Sequence, residues 1–221
     1  MSKKDILILA GPSAVGKSTV ATFLSGEGFS LVRSATTRER RDDSFDAEYL
    51  YLTEEAFAQQ AEAGAFVEHT RYAEFSYGTP RAELSRIFAE GKCPLLILDA
   101  AGVRAFRESE YADRVYAAYL YDTLNTLDER LYQRELADAP SADALLRFVS
   151  RKERNTAEYR DIAETASLFD LLLKNETAQD TAQSLLDSMR AGKCLSEEER
   201  AKVVSLLAEM AAEKDAYMTE H

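Results

Sequence analysis

The sequence predicts an α/β fold in which a parallel sheet is flanked by helices. Three observations carry that expectation. Continuous apolar runs at Ile6–Ala10, Pro94–Leu98 and Val115–Tyr121 read as strands buried on both faces, as parallel strands are. Segments of helical character separate them, and such alternation marks parallel crossover units. The first run stops at a glycine-rich turn, Gly11-Pro-Ser-Ala-Val-Gly16-Lys17-Ser18, which opens directly into a helix.

Taken in order, Ile6–Ala10 is the first strand, Lys17–Leu24 the first helix and Phe29–Val32 a short second strand. Thr53–Ala63 is helical, with Thr53 as N-cap and Glu54 and Glu55 in the first turn, where the helix dipole favours carboxylates. Thr79-Pro80 opens another helix that runs to Glu90, with Pro80 at the first helical position, where its missing N–H costs nothing. Pro94–Asp99 and Val115–Tyr121 are buried strands, and Leu168–Leu173 is the last one. Helices lie between them over Val103–Glu108, Thr123–Ala137, Ala142–Glu158 and Thr177–Arg190. Ser196-Glu-Glu-Glu199 is a capping box, and Val203, Leu206, Leu207 and Met210 follow at helical spacing. The chain therefore ends in an amphipathic helix, expected to pack on its own domain or against a partner.

A length of 221 residues suits one core carrying an inserted subdomain, since single cores stop growing near ~250–300 residues. Lys and Arg number 27 against 39 Asp and Glu, a net charge of −12. That balance argues against general binding to nucleic acid or anionic membrane. Arginines nonetheless cluster at Arg33, Arg38, Arg40 and Arg41, and again at Arg130, Arg134, Arg147, Arg151 and Arg154, as a local anion site or as ordinary surface charge. Cys93 and Cys194 have no metal or redox spacing and read as free thiols in a reducing compartment. No run approaches the ~20 apolar residues of a membrane span, and the apolar run before Gly11 is too short for a signal peptide. A cytoplasmic protein without membrane partners is expected, as a monomer or homodimer.

Gly11 to Ser18 fits G-x-x-x-x-G-K-[ST], with a buried strand before it and a helix after it, which is the context this phosphate loop requires. Its glycines let backbone N–H groups curl around a β-phosphate, and the helix N-terminus adds a positive dipole end. Lys17 reaches the β- and γ-phosphates, and the Ser18 hydroxyl ligates Mg²⁺. The fold expectation sharpens to a P-loop NTPase sheet that binds a nucleoside triphosphate. Asp99 closes a buried strand at its carboxyl end, where ligands bind in such sheets. It is a candidate Mg²⁺ ligand through water and equally a candidate helix N-cap.

Further motifs follow in series: Ser34-Ala-Thr-Thr-Arg38-Glu-Arg-Arg41, Glu48-Tyr49, Gly64-Ala-Phe-Val-Glu68-His69, Tyr77-Gly-Thr79, Ile97-Leu-Asp99, Arg130–Arg134 and Phe169–Asn175. With Gly11–Thr19 ahead of them, this series resembles the guanylate kinase family, over residues 5–190. The resemblance implies a nucleoside monophosphate kinase, an ATP:GMP phosphotransferase using ATP and Mg²⁺. It implies a kinase core at 1–33 and 80–190 with a helical lid near 125–160, a GMP-binding insertion at 34–79, and a helical extension at 191–221. It places Gly11, Ser13, Ala14, Val15, Gly16, Lys17, Ser18 and Thr19, with Arg130 and Arg134 of the lid, on ATP. GMP falls to Ser34, Arg38, Arg41, Tyr49, Glu68, Tyr77, Thr79 and Asp99, the metal to Ser18 and Asp99, and the transferring group to Lys17, Arg38, Arg134 and Arg147.

Elementary chemistry agrees with that assignment. The planar forks of Arg38 and Arg41 match the oxygens of a phosphate dianion. Guanine offers an N1–H and a 2-amino group, and the Glu68 carboxylate can accept from both. Arg130 and Arg134 share one helix face, as do Arg147 and Arg151; surface ion pairs with Glu129, Glu135 and Glu153 are their alternative use.

The chain departs from the family pattern in places. Ala14 replaces a loop glycine, and His69 replaces the tryptophan that follows the glutamate. Asp42, Asp43 and Asp46 stand where the family has a glycine-rich turn. Beyond Asp99 the chain reads Ala100-Ala101-Gly102, a shorter segment without the family's second base-reading carboxylate. That gap leaves room for another small phosphorylated acceptor, such as a sugar phosphate. A non-catalytic protein-interaction module is the reading from a different class; an intact Lys17 and Ser18 argue against it.

Overall fold

The computed structural model describes residues 4–40, 49–72, 74–138 and 140–220. In chain order these form β1 (Ile6–Ala10), α1 (Lys17–Ser25), β2 (Phe29–Leu31), β3 (Ser34–Thr36), β4 (Tyr49–Tyr51), α2 (Glu54–Glu62), β5 (Phe66–Tyr72), β6 (Phe75–Pro80), α3 (Arg81–Ala89), β7 (Cys93–Ile97) and α4 (Ala100–Arg107). There follow β8 (Val115–Tyr121), α5 (Leu124–Glu135), α6 (Ala142–Arg160), β9 (Leu171–Lys174), α7 (Ala178–Ala191) and α8 (Glu197–Glu220). Five strands make a sheet in the order β2-β7-β1-β8-β9, and four make a second in the order β4-β3-β6-β5. The chain divides into two compact units, Met1–Ile8 with Leu24–Tyr116, and Leu9–Phe23 with Ala117–His221.

In the first unit β2 runs parallel to β7, from Phe29 opposite Cys93 to Leu31 opposite Leu95. The second sheet is mixed: β3 is parallel to β4 and antiparallel to β6, which pairs antiparallel with β5. Ala35, Phe57 and Phe66 form a small core under it, packed by Leu50, Leu52 and Ala61, and the Phe57 and Phe66 rings stack at 4.6 Å. No strand is expected at 34–36, 49–51, 66–72 or 75–80 from the sequence pattern, so this sheet corrects the reading. Two of its strands have only three residues, and Glu68 and Thr70 of β5 face a cavity, which hides the alternation of apolar positions.

An ion cluster ties the entry of β3 to α3. Glu83 is buried and accepts from Arg33 at 2.7 and 3.1 Å and from Arg86 at 3.0 and 3.2 Å. Burial pushes its carboxyl up, but the two guanidiniums outweigh burial and hold it down at about 2. Arg33 is therefore engaged in the scaffold. A carboxyl depressed in the folded state stabilises fully above its ordinary range, and that contribution is lost as pH falls from 4.5 towards about 2. Glu83→Gln is expected to lower stability by about 2–3 kcal/mol at pH 7 and by far less at pH 3, as urea unfolding at both pH values will measure.

In the second unit β8 runs parallel to β9, from Ala118 opposite Leu171 to Tyr121 opposite Lys174. Every residue of β8 is buried, as a strand covered on both faces should be. Thr123, Ser141 and Thr177 cap α5, α6 and α7 with side-chain acceptors. The Ser196–Glu199 capping box forms as expected, with the Ser196 N–H donating to Glu199 at 2.9 Å and the Glu199 N–H to Ser196 at 3.2 Å. Helix α8 packs on α6 and α5, burying Leu207 and Ala211, while Leu206 stays exposed. Asp128 of α5 accepts from Lys152 of α6 and Lys214 of α8, at 3.1 and 2.7 Å.

Several boundaries move by a residue or more, three of them for a visible reason. Pro80 ends β6 opposite Phe66, and α3 starts at Arg81; a proline at a strand end gives up no ladder hydrogen bond. The helix expected from Val103 starts at Ala100, because Asp99 caps it. The last strand starts at Leu171, after a single-turn 3₁₀ helix over Ala166–Leu168.

Candidate active site

In the second unit the turn after β1 is built for close backbone approach. A Cβ on Gly11 would collide with the Leu120 carbonyl oxygen, and one on Gly16 would sit 2.5 Å from Asn175 Nδ2. Both glycines have φ in the left-handed range, at 134° and 98°. Ala14 also has positive φ, 64°, where a Cβ strains the backbone by about 1–2 kcal/mol. Glycine there would relieve the strain but widen the unfolded ensemble. Ala14→Gly is therefore expected to stabilise the protein by about 0.5–1 kcal/mol without weakening nucleotide binding, as thermal melts with and without ATP will report.

Side chains outside the motif fix the loop. Asn155 of α6 accepts from the Ser13 N–H at 2.8 Å and donates to the Ser13 carbonyl at 3.0 Å. Asn175, just past β9, donates to the Val15 carbonyl at 2.5 Å. Lys17 turns back on the loop and donates to the Gly11 and Pro12 carbonyls at 2.6 and 2.9 Å. Burial lowers its ammonium from 10.5 to about 8; Glu158 opposes that shift, and the charges of Arg134 and Arg151 add to it. Arg130 is held 3.1 Å from the Asp122 carboxylate, while Tyr159 donates to the Asp122 carbonyl at 2.6 Å and accepts from its N–H. Arg134, Arg147 and Arg151 meet at Glu135, 3.0, 3.0 and 3.5 Å from its oxygens. Four sequence-predicted groups thus come together here: the loop, Lys17, Arg134 and the Arg147/Arg151 face. Asn155, Asp122 and Tyr159 carry no sequence signal, since a lone asparagine among helical charges reads as surface.

In the first unit a cavity of about 250 Å³ is lined by Ser34, Tyr49, Glu68, Thr70, Tyr77, Gly78, Ile97, Leu98, Asp99 and Gly102. It brings together Ser34, Tyr49, Glu68, Tyr77 and Asp99, five of the residues that the resemblance assigns to GMP. Thr79 is fully buried and donates to Glu68 Oε1 at 2.6 Å. Burial pushes the Glu68 carboxyl up, and the Asp99 charge pushes it further, against the Thr79 hydrogen bond. Asp99 accepts the Gly102 N–H at 2.8 Å, so it caps α4 while facing the cavity. The Arg38 guanidinium lies 5.3 Å from the centre of the Tyr49 ring and 3.4 Å from the Tyr51 hydroxyl, which places it at the cavity's aromatic side. Arg41 and Glu48 lie outside the described residues, as do Asp42, Asp43 and Asp46.

The comparisons with known proteins agree with this geometry. The guanylate kinase family model matches residues 3–192. A guanylate kinase of Symbiobacterium thermophilum is 29% identical over 213 residues, covering 95% of this chain and 96% of its own. One from Leifsonia xyli subsp. xyli is 32% identical over 192 residues, covering 85% of this chain and 71% of its own. Among solved structures, guanylate kinase from Anaplasma phagocytophilum shares the fold, with a TM-score of 0.58 at 23% identity over 88% of this chain and 89% of that one. With phosphate loop, arginine cluster and two-carboxylate cavity each in place, the chain belongs to the guanylate kinase family.

Proposed function

We propose that this protein transfers the γ-phosphoryl group of ATP to GMP, giving ADP and GDP. The observation that carries the acceptor assignment is the pair of carboxylates, Glu68 and Asp99, in one cavity with Ser34. Burial first, and the Asp99 charge after it, push the Glu68 carboxyl up, so an ionised pair here is costly without donors to meet it. Guanine presents two adjacent donors, N1–H and the 2-amino group, which offset that cost; adenine presents an acceptor at N1 and nothing at C2. Asp99 thereby supplies a second carboxylate at the base, although the segment beyond it is short. Ser34 donates towards O6, and Thr79 holds Glu68 in place.

The remaining roles follow from charge. Arg38 and Arg41, with the hydroxyls of Tyr49 and Tyr77, hold the GMP phosphate. The loop residues Gly11–Thr19 cradle the ATP phosphates, and Lys17 exchanges its two carbonyl partners for β- and γ-oxygens. Arg130 and Arg134 bind ATP from α5, and with Arg147 of α6 they form the lid that neutralises charge on the transferring group. In the transfer, a GMP phosphate oxygen bonds to the γ-phosphorus as the bond to the β,γ-bridging oxygen breaks, and ADP leaves. The acceptor oxygen is already anionic, so positioning and electrostatics supply the catalysis.

The donor set suits Mg²⁺. Ser18 offers one hydroxyl oxygen beside the phosphate loop, and among the described residues no group of three or more His, Cys, Asp or Glu forms a metal cage. Mg²⁺ is characteristically held by few protein oxygens together with substrate phosphates, and when bound it screens their charge. We assign the metal to Ser18 and Asp99 chiefly to the base. Among the described residues no helix is long and apolar enough to cross a membrane. The partners in this reading are the small-molecule nucleotides, met in the cytoplasm. ADP release measured with Mg²⁺ and each nucleoside monophosphate in turn tests the reading: GMP should drive it far above AMP, CMP and UMP, and equal or faster release with another monophosphate would refute the acceptor assignment.

A further inference from the structure

Glu135, the last residue of α5, belongs to no motif in the series, yet it organises the arginines of the nucleotide side. Its side chain is 9% exposed, whereas those of Arg134, Arg147 and Arg151 are 46%, 50% and 34% exposed. Arg134 Nε donates to its Oε1 at 3.0 Å and Arg147 Nε to its Oε2 at 3.0 Å, so both oxygens are used, and Arg151 approaches Oε1 at 3.5 Å. Three guanidiniums from two helices thus converge on one carboxylate. Without it they would lose the carboxylate they share, and their mutual repulsion would be less offset. Two of the three lie near enough to the loop lysine to push its ammonium down. The carboxylate uses its oxygens as a phosphate group would, but it carries less charge and fewer acceptor positions.

We propose that Glu135 is a positioning residue that stands in for the nucleotide's phosphates: it gathers Arg134, Arg147 and Arg151 before ATP arrives and gives them up when ATP binds. The idea rests on the reading that Arg134 and Arg147 bind and neutralise ATP phosphates. It has a consequence that a merely structural ion cluster lacks. Removing the charge should destabilise the empty protein and tighten ATP binding together, because the phosphates no longer compete with a resident anion.

The test is calorimetric titration of ATP with Mg²⁺ into wild type, Glu135→Gln and Arg147→Ala, beside thermal melts of each without nucleotide. Glu135→Gln should melt at a lower temperature and bind ATP about five- to tenfold more tightly at low salt. That gain should shrink at ~0.5 M salt, where exposed charges are screened. Unchanged or weaker binding by Glu135→Gln would overturn the proposal. Arg147→Ala separates the two levels: if it leaves ATP affinity unchanged, the nucleotide role of the arginines fails. If it weakens binding while Glu135→Gln does not tighten it, only the role of Glu135 fails. Should Glu135→Gln not fold, the wild-type arginine Nε–Hε resonances serve instead: saturating ATP should shift those of Arg134 and Arg147, and no shift would count against the exchange.

Discussion

Replacing Glu68 by glutamine is expected to lower kcat/KM for GMP by about 10²–10⁴-fold while leaving ATP affinity unchanged. The carboxylate offers acceptors to both guanine donors, whereas glutamine turns one of those positions into a donor that meets the base donor head-on. A site built on such bonds loses most when one member cannot pair. The variant should be no less stable than the parent. Burial and the Asp99 charge already make an ionised Glu68 costly, as its raised carboxyl shows, and a neutral amide removes that cost. Activity falling with an unchanged or higher melting temperature is therefore the signature, and steady-state kinetics beside a melt will show it. A parallel loss of stability would instead make Glu68 part of the scaffold.

Lys17→Met is expected to lower kcat by about 10²–10³-fold, comparable to removing one preorganised donor from a developing oxyanion. Lys17 also predicts a pH dependence. Burial holds its ammonium down at about 8 when it faces only the Gly11 and Pro12 carbonyls. Phosphates favour the charged form, so ATP binding should raise that value and take up a proton near pH 8. ATP affinity should then weaken as pH rises through about 8, and the weakening should be absent in Lys17→Met. Calorimetry in buffers of different ionisation enthalpy measures the proton directly.

The parts of the fold legible in the sequence are those whose side chains do one job. Val115–Tyr121 is buried throughout and has the same limits in the structure as in the apolar pattern. The phosphate loop is legible because its glycines answer to backbone geometry that no other residue meets as cheaply, as the contacts at Gly11 and Gly16 show. The four-stranded sheet is not legible by period, because β5 turns Glu68 and Thr70 towards a cavity; there the ordered motifs carried what alternation could not. Asp99 reads two ways in sequence, as cap and as ligand, and the structure shows it capping α4 while lining the cavity. Asn155 acts on Ser13, 142 residues away, a spacing not written in local pattern; Glu135 reads in sequence as one of several ion-pair partners for the arginines, but not as the point where three of them meet. Long-range polar contacts of this kind appear only once the chain is folded.

Phosphoryl transfer from ATP to GMP is best tested by following both products at once by phosphorus NMR, with ATP, GMP and Mg²⁺ as the only substrates. GDP and ADP should rise in equal amounts as ATP and GMP fall, with no inorganic phosphate, and the reaction should stop when Mg²⁺ is chelated. ADP appearing with inorganic phosphate and no GDP would contradict the assignment, as would ATP left unconsumed in the presence of GMP.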